Sequence, residues 1–190
     1  MSDNPVFSNA DTYQAVTHKV ENQSPELCDY NLYEQDIALQ ESVEREGAHW
    51  ADDQLKRFGD KIGQQAYMEL GADANSYKPR LITHDRHGHR IDKVKFHPAY
   101  HQLMKTAIET GLHSSPWTDP KPGAHVARCA SYYLHAQTEQ AHGCPITMTF
   151  ASIPTLLMQP DLAAIWVPKV TAREYDPRNI GAEQKSSVTI

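Results

Sequence analysis

Small apolar residues recur at helical spacing in the stretch from Gly123 to Phe150. Ala124, Ala127, Ala130, Leu134 and Ala141 stand three, four and seven apart, which predicts a helix of about five turns with one face that neighbouring helices can approach closely. Gly143-Cys144-Pro145 reads as a stop and restart, with Gly143 left-handed at the end of one helix and Pro145 in the first turn of the next. That second helix, Pro145 to about Met158, is apolar on most sides, through Ile146, Met148, Phe150, Ile153, Leu156 and Leu157 among others. Its profile predicts a buried element.

The polar segment of residues 1–30 shows no sustained period and reads as an extended or partly disordered arm. From Leu32 a helix is predicted with Asn31 as its cap and Gly47 as its stop. Trp50, Leu55, Phe58 and Ile62 give a second helix, and Ala66, Met68, Leu70 and Ala74 a third, with Gly63 at the bend between them. Lys78 to Phe96 changes period, and apolar runs on both sides of Asp85-Arg86-His87-Gly88 predict a β-hairpin. His97-Pro98 starts another helix, which carries Tyr100, Leu103, Met104, Ala107 and Ile108 and ends near Gly111. Ser114 to Pro122 is a proline-rich connection, and Pro160 opens a short helix that Pro168 is expected to limit. The final Ser-Ser-Val-Thr-Ile has the β-branched character of a strand without a partner in the sequence.

Composition narrows the function. The 190 residues carry a net charge of −6 and no basic run, so the chain as a whole has no electrostatic footprint for nucleic acid or an anionic membrane. Hydrophobic residues make up only 39%, which suggests long surface segments or a covering partner. Three cysteines, Cys28, Cys129 and Cys144, without a C-x-x-C pair indicate neither a disulfide framework nor a cysteine-rich zinc site. With no signal-peptide pattern and no apolar run long enough to span a bilayer, a cytoplasmic protein is expected.

Two Glu-x-x-His pairs, Glu46/His49 and Glu139/His142, match the spacing by which ferritin-like bundles hold two irons. Gly47 inside the first and Gly143 directly after the second place both at helix ends, where solvated side chains are the favoured reading. His97 and His101 have a zinc-compatible spacing, against which stand capping and ring packing. His84, His87 and His89 crowd a solvated turn. Cys144 near a helix start could be an activated thiol, but its apolar flanks favour a buried structural cysteine. No phosphate loop, nucleophile elbow or zinc-protease motif is present. Periodicity and motifs thus stop at a helical domain with a hairpin insertion.

Specific strings go further. Thr17-His18-x-Val20-x-Asn22-Gln23-x-Pro25-x-Leu27, Asn31-Leu32-Tyr33-x-x-Asp36-x-Ala38-Leu39, Arg45-Glu46-Gly47-Ala48-x-Trp50, Phe96-His97-Pro98-Ala99-Tyr100-His101, Leu134-His135-Ala136-Gln137-x-Glu139, Cys144-Pro145-Ile146-Thr147-Met148-Thr149-Phe150-Ala151 and Arg173-x-Tyr175-Asp176 resemble, in order, the AidB-like adaptive-response flavoproteins of the acyl-CoA dehydrogenase superfamily. The resemblance implies a mainly α fold: an arm (1–30), an N-terminal helical domain (31–176) with its hairpin at about 80–96, and a linker with the first strand of a missing middle β-barrel (177–190). It implies a scaffold that forms one wall of the acyl channel of an FAD-dependent acyl-CoA dehydrogenase. Thr147, Met148 and Thr149 at the helix corner are the substrate-channel candidates. The complete enzyme would bind FAD, acyl-CoA and double-stranded DNA and form a homotetramer. The barrel and C-terminal bundle that carry the flavin motif, the catalytic Glu and the DNA-binding surface would follow Ile190. No catalytic, cofactor or metal residue is therefore assigned to this chain, and the segment alone is expected to be inactive and free of FAD. A free-standing helical interaction module and a di-iron carboxylate protein are the alternatives.

Overall fold

The computed structural model describes residues 21–190. Eight helices and one hairpin follow in the order α1 (Ile37–Arg45), α2 (Asp52–Ile62), α3 (Gln65–Ser76), β1 (Arg80–His84), β2 (Arg90–Lys95), α4 (Pro98–Thr110), α5 (Ser115–Thr118), α6 (Ala124–Ala136), α7 (Gly143–Leu157) and α8 (Pro160–Thr171), with 3₁₀ turns at His49–Ala51 and Ala182–Gln184. The mainly α class with a two-stranded antiparallel insertion is thus the observed architecture.

Helix starts follow local chemistry in part. His97 caps α4, its Nδ1 accepting from the Ala99 N–H at 3.3 Å, Pro98 occupies the first turn, and Gly111 closes the helix at φ 82°. Asp36, rather than Asn31, caps α1, accepting from the Leu39 N–H at 2.9 Å. Asn31 instead caps the preceding turn through the N–H groups of Tyr33 and Glu34 and donates to the Lys56 carbonyl. The cap of α3 arrives from far along the chain, the Asp29 carboxylate accepting from the Gln65 N–H at 3.0 Å.

Helix α4 separates two apolar clusters. Leu103 faces one built from Tyr33, Val43, Leu55, Ile62 and Leu134 among others. Met104, Ala107 and Ile108 face a smaller one completed by Leu112 and Ile146. The alanine face of α6 is buried as its period predicts, at Ala124, Ala127 and Ala130, and the helix packs against α1 and α2. It is shorter than expected, because the chain turns after Ala136 and Ala141 lies exposed outside it.

Three expectations are corrected. Gly143 is not a left-handed stop but the first residue of α7, which thus starts two residues before Pro145, and its missing Cβ lets the Tyr132 hydroxyl approach. Helix α7 is buried along Ile146, Thr149 and Ile153 but exposes Met148 and Leu157. Pro168 lies inside α8 rather than ending it. The last turn is held from outside by the Lys169 ammonium on the carbonyls of Ala182 and Glu183 and by the buried Val170.

The first 20 residues of the expected arm lie outside the described residues, and residues 21–28 form neither helix nor strand. Residues 186–190 pair with no strand among the described residues. They are stitched to the helices by the Val188 N–H on the Lys169 carbonyl and the Ile190 N–H on Thr149 Oγ1.

Candidate functional site

Successive helical residues point about 100° apart, and the three channel candidates accordingly face different surroundings. Thr149 is fully buried, its hydroxyl donating to the Pro145 carbonyl at 2.7 Å and accepting from the Ile190 N–H at 2.9 Å. Thr147 is exposed and donates to the Tyr132 hydroxyl at 3.3 Å. Met148 is 54% exposed, and Leu157, Met158, Leu162 and Ile165 are further exposed apolar side chains on the α7–α8 hairpin. Two clefts, of about 470 and 370 Å³, are lined by other residues, although Pro145 borders the first. Cys144 is exposed, not a buried structural cysteine, because α7 begins earlier and turns it outward.

The strongest concentration of buried polar groups lies where α6 gives way to α7. Tyr67 Oη is 2.8 Å from His135 Nε2, His135 Nδ1 is 2.6 Å from His142 Nε2, and His142 Nδ1 is 2.7 Å from Glu139 Oε2. Both imidazoles are 2% exposed. Glu139 also accepts from the N–H groups of Ala141 and His142, so it caps the turn into α7 while holding the ring. These bonds oppose the effect of its burial and bring its carboxyl below the ordinary range. Burial lowers His142 despite that carboxylate, and burial with the neighbouring His142 and Lys61 lowers His135 to about 3. Burial raises Tyr67 to about 12.

An ionised Glu139 sets the direction of the whole chain. It requires Nδ1–H on His142, which leaves Nε2 of that ring to accept from His135 Nδ1–H, and His135 Nε2 then accepts the Tyr67 hydroxyl proton. Four side chains from α3, α6 and the α6–α7 turn are thereby locked in one tautomeric pattern. The favoured reading of Glu139 and His142 as solvated helix-end residues is overturned. Glu46 and His49, in contrast, are exposed. Nitrogens bound tetrahedrally to one metal ion at about 2.1 Å stand about 3.4 Å apart, so the 2.6 Å contact is a hydrogen bond and not a ligand pair. Among the described residues no group of three or more His, Cys, Asp or Glu is placed to hold a metal ion.

The network ends at a surface. Glu139 and Ala141 line the cleft of about 370 Å³, together with Ala74, Tyr77, Phe96 and Tyr100. An ionised carboxylate thus stands at the edge of a mostly apolar hollow. Tyr67 and His135 were invisible as partners because 68 residues separate them. The one available signal was His135 and His142 standing a heptad apart beside the buried Leu134. His101 meets its expected ring packing, with its Nδ1 2.8 Å from the Tyr175 hydroxyl and its ring against Phe96 and Tyr100. Among the described residues no helix is long and apolar enough to cross a membrane.

Comparison with known proteins places this architecture. Residues 22–177 match the model of the adaptive response protein AidB N-terminal domain. Over 176 residues the chain is 43% identical to the putative acyl-CoA dehydrogenase AidB of Escherichia coli K12, covering 92% of this chain and 32% of that protein. It is 29% identical over 104 residues to acyl-CoA dehydrogenase family member 11 of Caenorhabditis elegans, covering 54% and 17% of the two chains. The crystal structure of Caenorhabditis elegans ACDH-11 in complex with C11-CoA superposes with a TM-score of 0.71 at 25% identity, over 85% of this chain and 29% of that one. The apo-form of Bd2924 shares the fold, with a TM-score of 0.73 at 23% identity over 81% and 32%. The chain therefore spans about a third or less of the length of the curated relatives it matches, and it belongs to the AidB N-terminal domain family of the acyl-CoA dehydrogenases.

Proposed function

We propose that this domain is the scaffold and one wall of the acyl channel in an FAD-dependent acyl-CoA dehydrogenase of the alkylation-response type. Barrel and bundle domains of the complete cytoplasmic tetramer would supply the flavin site, the catalytic base and any contact with double-stranded DNA. The reading rests on one observation above all: a chain that spans 32% of its Escherichia coli relative leaves Met148, Leu157, Met158, Leu162 and Ile165 exposed on a single helical hairpin. Apolar side chains gathered in this way mark a surface that another element covers. The Caenorhabditis elegans neighbour solved with C11-CoA supports acyl-CoA as the ligand class.

The flavin site is proposed to lie in the barrel and bundle domains of the complete enzyme. None of the clefts of about 470, 370 and 300 Å³ has a glycine in its lining, so none resembles the glycine-rich loop by which dinucleotide folds hold a pyrophosphate. No step of the dehydrogenation is accordingly assigned to the described residues. Their contribution is to shape and enclose, and Met148 is the residue by which to test it, being pliable and half exposed beside the fixed Thr149. In a full-length enzyme carrying this domain, Met148→Trp is expected to shift the preferred acyl-chain length at least severalfold in kcat/KM with the melting temperature unchanged. A fall in stability with no change in chain-length preference would show that Met148 packs against a neighbouring domain and that the channel lies elsewhere.

A further inference from the structure

The cleft of about 470 Å³ lies between β2, the start of α4 and residues 175–189. Its size is that of a small-ligand site. In a chain of net charge −6, its lining holds Lys93, Lys95, Arg178 and Lys185 against the single carboxylate of Asp176. That carboxylate is already committed, bound in two-point fashion by Arg178 at 2.6 and 2.8 Å. Glu174 also acts on Arg178. Lys185 donates to the Asp176 carbonyl at 3.1 Å and also acts on that residue's carboxylate, whereas Lys93 and Lys95 form no ion pair among the described residues.

The hairpin adds to the imbalance. Lys95 stands directly across the ladder from Arg80, where like charges repel. The Lys93 ammonium is close enough to His101 to lower its basicity further, after burial. Beside these cations Phe96 and Tyr100 stack with ring centroids 4.2 Å apart, and Tyr175 and His101 close the same wall. Uncompensated cations next to a bank of rings are the recognition chemistry of an anion joined to an aromatic base. We propose that this cleft binds a nucleoside phosphate, with Lys93, Lys95 and Lys185 on the phosphates and the base against the Phe96–Tyr100 wall. The assignment is independent of the acyl-channel reading, which concerns α7 and α8.

Calorimetric titration of the 190-residue chain with ADP, pyrophosphate and adenosine tests it. Saturable ADP binding with a Kd below about 1 mM is expected, weakened by added salt. Pyrophosphate should bind more weakly and adenosine weakest, because each carries half of the recognised chemistry. Lys93→Ala/Lys95→Ala should weaken ADP at least about tenfold, or about 1.4 kcal/mol. Its melting temperature should not drop, since it removes exposed groups and the repulsion with Arg80. Arg86→Ala, at the hairpin tip outside the cleft, should leave binding unchanged. No saturation by about 5 mM ADP, equal affinity for pyrophosphate and ADP, or an equal loss in Arg86→Ala and the double variant would each overturn the proposal.

Discussion

Pro154, inside α7, has no N–H to offer the carbonyl of Phe150 one turn earlier. The vacancy is filled from another element: the Trp117 indole N–H donates to that carbonyl at 3.1 Å, and its ring packs on Phe150. The same indole meets His125 edge-on, so one side chain ties α5, α6 and α7 together. Replacing Trp117 by Phe keeps most of the ring but leaves a carbonyl without a donor, and should cost about 1–2 kcal/mol of stability. Because Ala at position 154 would restore the helical donor, the cost should shrink in the Pro154→Ala background. Denaturant unfolding of the two single variants and the double variant measures this, and a strictly additive cycle would mean that the indole acts by packing alone.

At the scale of elements, the close approach of α6 to the α1–α2 turn depends on Gly123. It sits at φ 76°, and a Cβ there would run into the carbonyl of Gly47 and lie 2.8 Å from Ala48 Cα. Gly123→Ala should therefore destabilise by about 2 kcal/mol or more, through left-handed strain and a clash with backbone that has no room to yield. A variant that melts with the parent would show that the α1–α2 turn can retreat. The α6 alanine stripe, the His97-Pro98 start, the Gly111 stop and the hairpin turn at Gly88 were legible in the sequence because each is decided within a few residues of itself. Gly143, Pro168 and Cys144 were misread for the converse reason. Their roles follow from Tyr132, from the 182–183 carbonyls and from the true start of α7, none of which local period reports. The candidate site divides likewise. The family strings pointed to the α6–α7 corner, while the partnership of Tyr67 with His135 needed α3 to be folded against α6.

For the whole molecule, buried imidazoles make folding sensitive to acid. His113 is 1% exposed and its Nε2–H donates to the Ala172 carbonyl, while Nδ1 is buried with no partner among the described residues. Burial lowers it to about 4, with Arg173 and Arg128 also opposing its charge, as burial lowers His135 to about 3. An unfolded histidine takes up its proton near pH 6.5. Between that pH and the lowered values the unfolded chain binds protons that the folded one refuses, so the stabilisation is complete above about pH 6.5 and drains away below it. Going from pH 7 to pH 5 should remove about 2 kcal/mol for each of the two rings, read as a falling urea midpoint. A midpoint that does not move would show that both rings reach water in the native state. The His135–His142 contact carries a different consequence. A proton held between two nitrogens 2.6 Å apart and sealed from water exchanges slowly with solvent and resonates far downfield of the amide envelope. A one-dimensional NMR spectrum thus has in that single line a built-in reporter of whether α3, α6 and the start of α7 are assembled.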